Sequence, residues 1–192
     1  MDIVRIQDYL RYEPWLKKDP AVLLEQILEQ ARYLSKEQKD EVRKAYEFAK
    51  KYHKDTTRLS GEAYIVHPIK VLEFLMETKP DLASIQTALL HDVIEDTPAS
   101  YDDIKKYFGE EVADLCQSLV KVAKVRYRGE ERQIETLKKT FLAMGKDLRV
   151  IIIKLADRIH NVQTLHYHPK KEKQRRIADE TLKIYVPIAK RL

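Results

Sequence analysis

A chain of 192 residues, 44% of them hydrophobic, is long enough to bury the core of one ordinary domain. Its formal net charge of +5, from 36 Lys and Arg against 31 Asp and Glu, describes a solvated surface. The mild basic excess would help collect a phosphorylated ligand but does not demand nucleic acid. One cysteine, Cys116, excludes an intramolecular disulfide framework and fits a reducing compartment. The longest apolar run, Val150 to Ile153, is far short of a membrane span, and the charged start from Met1 to Arg11 lacks a signal peptide's apolar stretch. The reading is a cytoplasmic protein with no membrane partner.

Glycine is scarce, at 4 residues, and apolar side chains recur at helical spacing almost from end to end, so the fold class is all-α. Period and punctuation predict helices near residues 20–34, 36–53, 68–78, 82–96, 101–107, 110–124, 131–144, 147–166 and 170–190. Between His53 and His67 the helical pattern is interrupted by Lys54-Asp55-Thr56-Thr57-Arg58-Leu59-Ser60-Gly61-Glu62, a loop with the character to carry function. A second break over residues 124–132 is basic, with Arg126, Arg128, Gly129 and Arg132.

The helix predicted at 82–96 carries the most pointed signal. Asp81 is a plausible cap, and Pro98 holds Thr97 out of the α region. His91, Asp92, Glu95 and Asp96 share one face in its last turns. A helix C-terminus behaves as roughly half a negative charge, so each anion there costs about 0.3 to 1 kcal/mol, and like charges four residues apart repel further. A solvated acidic face is the competing reading; a divalent metal with an anionic substrate behind it would invert the charge logic. Two more residues can complete a coordination sphere. His67, with Pro68 in the first turn, projects from the start of its helix. Asp157 lies in a stretch, Val150 to Asn161, so apolar that its helix must be central, where a carboxylate needs a partner or a metal. Two imidazoles and two carboxylates suit manganese, iron or zinc, and the lack of a thiolate cluster disfavours structural zinc. Glu95 and Asp96, one turn beyond His91 and Asp92, are within reach to orient water at the metal and take its proton.

Other polar residues read more plainly. His53, His160, His166 and His168 read as surface or supporting residues, and Lys170, Lys171, Lys173, Arg175 and Arg176 as an exposed helix face. Tyr127, Tyr167 and Tyr185 read as packing, with Tyr185 on a helix that crosses the domain, and Cys116 as inert core.

Three motifs together resemble the HD-type hydrolase domain of the RelA/SpoT homologue proteins. They are Arg58-Leu59-Ser60-Gly61-Glu62-Ala63-Tyr64-Ile65-Val66-His67-Pro68, His91-Asp92-Val93-Ile94-Glu95-Asp96-Thr97, and Lys154-Leu155-Ala156-Asp157-Arg158-Ile159-His160-Asn161. The resemblance runs from about Lys44 to Leu192. It implies a helical HD-domain bundle that uses manganese (Mn2+) to remove the 3′-pyrophosphate from the alarmones ppGpp and pppGpp, yielding GDP or GTP in the stringent response. It places His67, His91, Asp92 and Asp157 as metal ligands and Glu95 with Asp96 as the catalytic pair. Arg58, Ser60, Asn161, Thr164 and Tyr185 would surround the nucleoside. Leu59 stands where many relatives carry lysine, and Gln163 where arginine is frequent. The organisation expected is a single HD-type domain over 1–192, with a helical segment at 1–35, either a small stand-alone hydrolase or, as the favoured reading, the amino-terminal piece of a longer chain with downstream regulatory and synthetase domains. No direct nucleic-acid contact is expected. Two further readings stand beside this one: an HD phosphohydrolase acting on another nucleotide, and a regulatory module that binds alarmone without turnover.

Overall fold

The computed structural model describes residues 18–123 and 146–192, and among them every regular element is helical. The helix predicted at 131–144, the basic break at 124–132, Tyr127 and the first 17 residues of the amino-terminal segment lie outside the described residues. Helix α1 (Pro20–Gln30) starts where Asp19 accepts from the Ala21 N–H and Pro20 takes the first-turn position that needs no donor. Helix α2 (Lys36–Tyr52) starts at a reciprocal capping box between Ser35 and Gln38. Helix α3 (Val66–Leu75) runs into a 3-10 turn, Met76–Thr78, and α4 (Leu82–Leu90) is capped by Asp81, which accepts from the Ser84 N–H. After the single turn α5 (Val93–Asp96) come α6 (Tyr101–Phe108) and α7 (Glu110–Ala123), separated by Gly109 at φ 90°, a backbone angle that favours glycine. The long α8 (Leu148–Gln163) is followed by α9 (Lys171–Glu180), a π-helical turn over Thr181–Tyr185, and α10 (Val186–Ala189).

Two predicted helices are single in the sequence pattern and divided in the structure. The run at 82–96 breaks at His91 and Asp92, because the His91 ring takes the Ala88 carbonyl that a continuing helix would offer to a backbone N–H. The run at 170–190 carries the π turn before Pro187, and periodicity alone does not register one extra residue in a turn.

Burial explains the arrangement. Helix α3 has eight of its ten residues buried and α4 seven of its nine, so both must be covered on all sides. Helix α3 packs against α4 and α8, while α2 and α7 cover α4 and α6 packs on α7. Ile69, Leu72, Ile85, Leu89 and Ile153 form the shared interior. The carboxyl-terminal segment adds a smaller core in which Ile184, Tyr185 and Ile188 sit on Ile151 of α8. At the start of α8, Arg149 reaches Asp147, Asp81 and Glu111 at 2.7, 2.7 and 2.8 Å, tying that helix to the cap of α4.

This packing fixes where chemistry can occur, because the start of α3, the end of α4 and the middle of α8 converge. If α8 is as central as its burial says, Ile153→Ala, at a fully buried position, should cost about 2 to 5 kcal/mol through lost contacts and a cavity. Guanidinium titration measures this, and a loss below about 1 kcal/mol would contradict the interior placement of α8.

Candidate metal centre

At that convergence the side chains of His67, His91, Asp92 and Asp157 point at one another. His67 Nε2 lies 3.4 Å from Asp92 Oδ2 and 3.3 Å from Asp157 Oδ1, and His91 Nε2 lies 3.1 Å and 3.9 Å from the same two oxygens. Donor atoms bound to one ion at about 2.0 to 2.2 Å stand about 3 to 3.5 Å apart, so three of these gaps are of that size and the fourth, at 3.9 Å, is a little wide. The cluster is nearly dry: the two imidazoles are 2% exposed, the Asp157 carboxylate 7% and that of Asp92 18%.

Electrostatics make the same case. The Nδ1 of His91 donates to the Ala88 carbonyl oxygen at 2.9 Å. In the neutral ring Nε2 therefore carries a lone pair, and among the described residues it is buried without a hydrogen-bond partner, facing carboxylate oxygens. Lone pairs facing lone pairs call for a cation between them, and His/Asp donors are what a divalent metal takes. Without one, a proton must serve. Burial works against charging His91, but Asp92 and Asp157 outweigh it and push its pKa up. Burial likewise opposes charge on Asp92, yet His91 and His67 hold its carboxyl well below the usual range. Asp157 is held down in the same way, first by Lys154 and then by the two histidines.

A layer of contacts behind the cluster orients it. Lys154 donates from Nζ to Asp157 Oδ2 at 2.7 Å, and the Asn161 amide donates to Asp157 Oδ1. Although burial opposes the charge on Lys154, Asp157 outweighs it and keeps the ammonium protonated. Tyr64 Oη stands 2.7 Å from Asp92 Oδ2 and 3.0 Å from Asp96 Oδ2. Burial and those two carboxylates raise its pKa strongly, so the phenol keeps its proton. His53, buried rather than on the surface, stacks on the Tyr64 ring with centroids 4.4 Å apart. His160, also fully buried, places Nδ1 2.8 Å from Nδ1 of His67. Burial first, then the electrostatic influence of His67, Arg58 and Lys70, pushes its pKa down to about 2, so it is a neutral partner.

Beside the cluster opens a cavity of about 420 Å³, lined by Arg58, Leu59, Ser60, Tyr64, Lys154, Asp157, Asn161, Thr164, His168 and Lys173 among others. Arg58 donates from Nη2 to Asn161 Oδ1 at 3.0 Å and to Thr164 Oγ1 at 3.3 Å. Four of the five residues expected around a nucleoside thus share one wall. Tyr185 does not line the cavity: it is buried under Arg158, whose guanidinium sits 4.1 Å from its ring centroid and pairs with Glu180 at 3.1 Å. Asp96 joins the cluster through Tyr64. Glu95 is exposed in the same turn, where its backbone N–H donates to the Asp92 carbonyl at 3.1 Å. Sequence reasoning left His160 between surface and support, of which the second holds, and missed Lys154 and Tyr64. His160 and Lys154 each lie three residues from Asp157, a helical spacing that puts them on its face; no comparable signal marked Tyr64.

Residues 45–192 match the HD domain family. The chain is an HD-domain protein. It is 48% identical over 161 residues to the bifunctional (p)ppGpp synthase/hydrolase SpoT of Escherichia coli, a match covering 83% of this chain and 23% of that protein. It is 44% identical over 171 residues to a guanosine-3′,5′-bis(diphosphate) 3′-pyrophosphohydrolase of Aquifex aeolicus, covering 89% of this chain and 24% of the relative. The HD-domain chain therefore spans about a quarter of the length of these relatives. A solved structure described as a metazoan ortholog of SpoT that hydrolyses ppGpp superposes with a TM-score of 0.64 at 25% identity, over 75% of this chain and 83% of the other. No helix among the described residues is long and apolar enough to cross a membrane.

The neutral, buried state of His160 has a signed consequence. Between pH 6.5 and about 2 the unfolded chain binds a proton there that the folded chain refuses. Stability should therefore be unaffected by this group above pH 6.5 and fall as the pH is lowered below it, by up to about 1.4 kcal/mol per pH unit. His160→Gln removes the contribution, so denaturant titrations at pH 6.5 and 5.5 should show a smaller loss for the variant than for the parent; equal losses would mean that His160 is not held uncharged.

Proposed function

We propose that this HD domain is a metal-dependent hydrolase that removes the 3′-pyrophosphate of ppGpp and pppGpp, giving GDP or GTP and pyrophosphate. One observation carries the reading: the His67 and His91 nitrogens lie 3.1 to 3.9 Å from the Asp92 and Asp157 oxygens, beside a cavity walled by Arg58, Ser60, Asn161 and Thr164. Relatives named for this hydrolysis support the substrate.

His67, His91, Asp92 and Asp157 would hold the ion; a mixed nitrogen and oxygen set accommodates manganese, iron or zinc, and we assign manganese, the ion that the family resemblance implies. When bound, such an ion supplies Lewis acidity toward a phosphoryl oxygen and acidifies water near neutral pH. The protein supplies the rest. Arg58, Ser60, Asn161 and Thr164 hold the nucleoside end, so the 3′-pyrophosphate is presented at the cluster. Asp96, fixed by the Tyr64 hydroxyl, and Glu95 in the same turn accept the proton lost by the attacking water. The ribose 3′-oxygen departs and takes up a proton as its bond to phosphorus breaks. Lys154, at the cavity wall and bonded to Asp157, tempers the negative charge that the pyrophosphate meets. Tyr185 acts at one remove, as the surface on which Arg158 rests. The buried, inert Cys116, whose thiol is pushed up to about 12 by burial, fits the reducing cytoplasm where we place the reaction.

Purified protein with manganese should convert ppGpp to GDP and pyrophosphate in equal amounts. Asp92→Ala and Asp157→Ala should each abolish both turnover and manganese binding by calorimetry. Undiminished activity after exhaustive chelation would defeat the proposal, and binding of ppGpp without product would convert it to a regulatory reading. Glu95→Gln removes proton handling but no proposed ligand. It should keep manganese affinity while kcat falls about 10²- to 10⁴-fold, and a variant that instead loses metal would move Glu95 into the coordination sphere.

A further inference from the structure

Glu62 has no place in the chemistry above, and its surroundings need an explanation. Its side chain is 1% exposed, and among the described residues neither carboxylate oxygen has a hydrogen-bond partner. A buried carboxylate in that state is costly unless a charge answers it. The answer is Arg58, whose Nε lies 3.8 Å from Glu62 Oε1. The backbone sets up the pair: Thr57 and Ala63 form a β-bridge, the Arg58 N–H donates to the Glu62 carbonyl, and the Gly61 N–H donates to the Arg58 carbonyl, each at 3.0 Å. Gly61, at φ 96°, turns the loop tightly enough to fold Glu62 back behind Arg58.

We propose that Glu62 is a positioning residue: it neutralises Arg58 from behind and locks its guanidinium against Asn161 and Thr164, as a fixed plate in the cavity wall. The proposal rests on the hydrolase reading for its kinetic consequence and on geometry alone for the pairing. A guanidinium whose charge is already answered, and whose Nη2 is committed to Asn161 and Thr164, offers a ligand a flat face in a set orientation rather than a free cation. That suits the base of a nucleotide better than its phosphates. Because the plate belongs to the loop rather than to the cluster of His67, His91, Asp92 and Asp157, its loss should weaken substrate binding and spare the chemical step.

The test is a double-mutant cycle of Glu62→Gln and Arg58→Ala in manganese-loaded protein, read with ppGpp hydrolysis and thermal unfolding. Glu62→Gln should raise KM about tenfold while kcat stays within about threefold, and Arg58→Ala combined with Glu62→Gln should be no worse in KM than Arg58→Ala alone. In unfolding, Arg58→Ala strands the carboxylate and should lower Tm, and adding Glu62→Gln should restore part of that loss. Additive effects on KM, or a double variant that melts below Arg58→Ala, would overturn the assignment. Should Glu62→Gln not fold by itself, Arg58→Ala and the double variant still decide the pairing by their Tm order. Were the parent protein inactive on ppGpp, the hydrolase reading would fail while the Tm arm still judged Glu62 and Arg58.

Discussion

The described residues are arranged around negative charge held largely out of water. Asp157 sits in the middle of α8 and Asp92 at the break after α4, both facing His67 and His91. A carboxylate removed from water loses several kcal/mol of solvation, which at Asp157 is answered by Lys154, Asn161 and the two histidines. A fold optimised for stability alone would place apolar side chains at these positions. Their presence where α3, α4 and α8 converge is what the proposed function would require of a site that concedes stability to chemistry.

The same constraint explains the layer behind the cluster. An imidazole that is to offer one nitrogen to a cation needs its other nitrogen occupied, and each ring here has a dedicated partner: the Ala88 carbonyl for His91 and the His160 ring for His67. The two partners differ in kind. The carbonyl is a permanent acceptor, so the His91 tautomer is set by the backbone. His160 can act as an acceptor only while uncharged, which burial and the neighbouring cations ensure. Tyr64 does a third job, joining Asp92 to Asp96 through one hydroxyl, so that a residue in the cluster and one outside it keep a fixed separation.

What the sequence disclosed follows from which interactions are local. Helical periodicity, the Asp and Ser caps and the apolar stretch around Asp157 are written within one or two turns of chain, and the helices over described residues stand close to where those signals put them. The convergence of His67, His91 and Asp157 is not local. It was legible because a carboxylate in so apolar a helix needed a partner, and histidine-bearing helix ends were available. Tyr64 escaped notice, and His160 stayed undecided between surface and support, for the complementary reason. A buried histidine three residues from an aspartate resembles any satisfied core residue until its partner 93 positions away is seen. The π turn before Tyr185 is equally silent, and with it went the difference between a tyrosine in the cavity and one beneath Arg158.

The break after α4 shows how a local irregularity solves a geometric problem. Adjacent residues on an unbroken helix point about 100° apart, so His91 and Asp92 would address one ion only from a narrow angle between them. Ending α4 at Leu90, with the His91 ring claiming the Ala88 carbonyl, releases Asp92 from the helical ladder and brings its Oδ2 within 3.1 Å of His91 Nε2. The chain then resumes at α5, whose Glu95 and Asp96 N–H groups both donate to the Asp92 carbonyl. One residue thus ends the cluster and begins the acidic turn, so any shift of Asp92 must move both together. The loop that carries Arg58 has no such tie to α4 and α5 in its backbone. The two ends of the cavity meet through side chains instead: Arg58 donates to Asn161, and Asn161 donates to Asp157, so a ligand that moves the loop is felt at the charged centre through that amide.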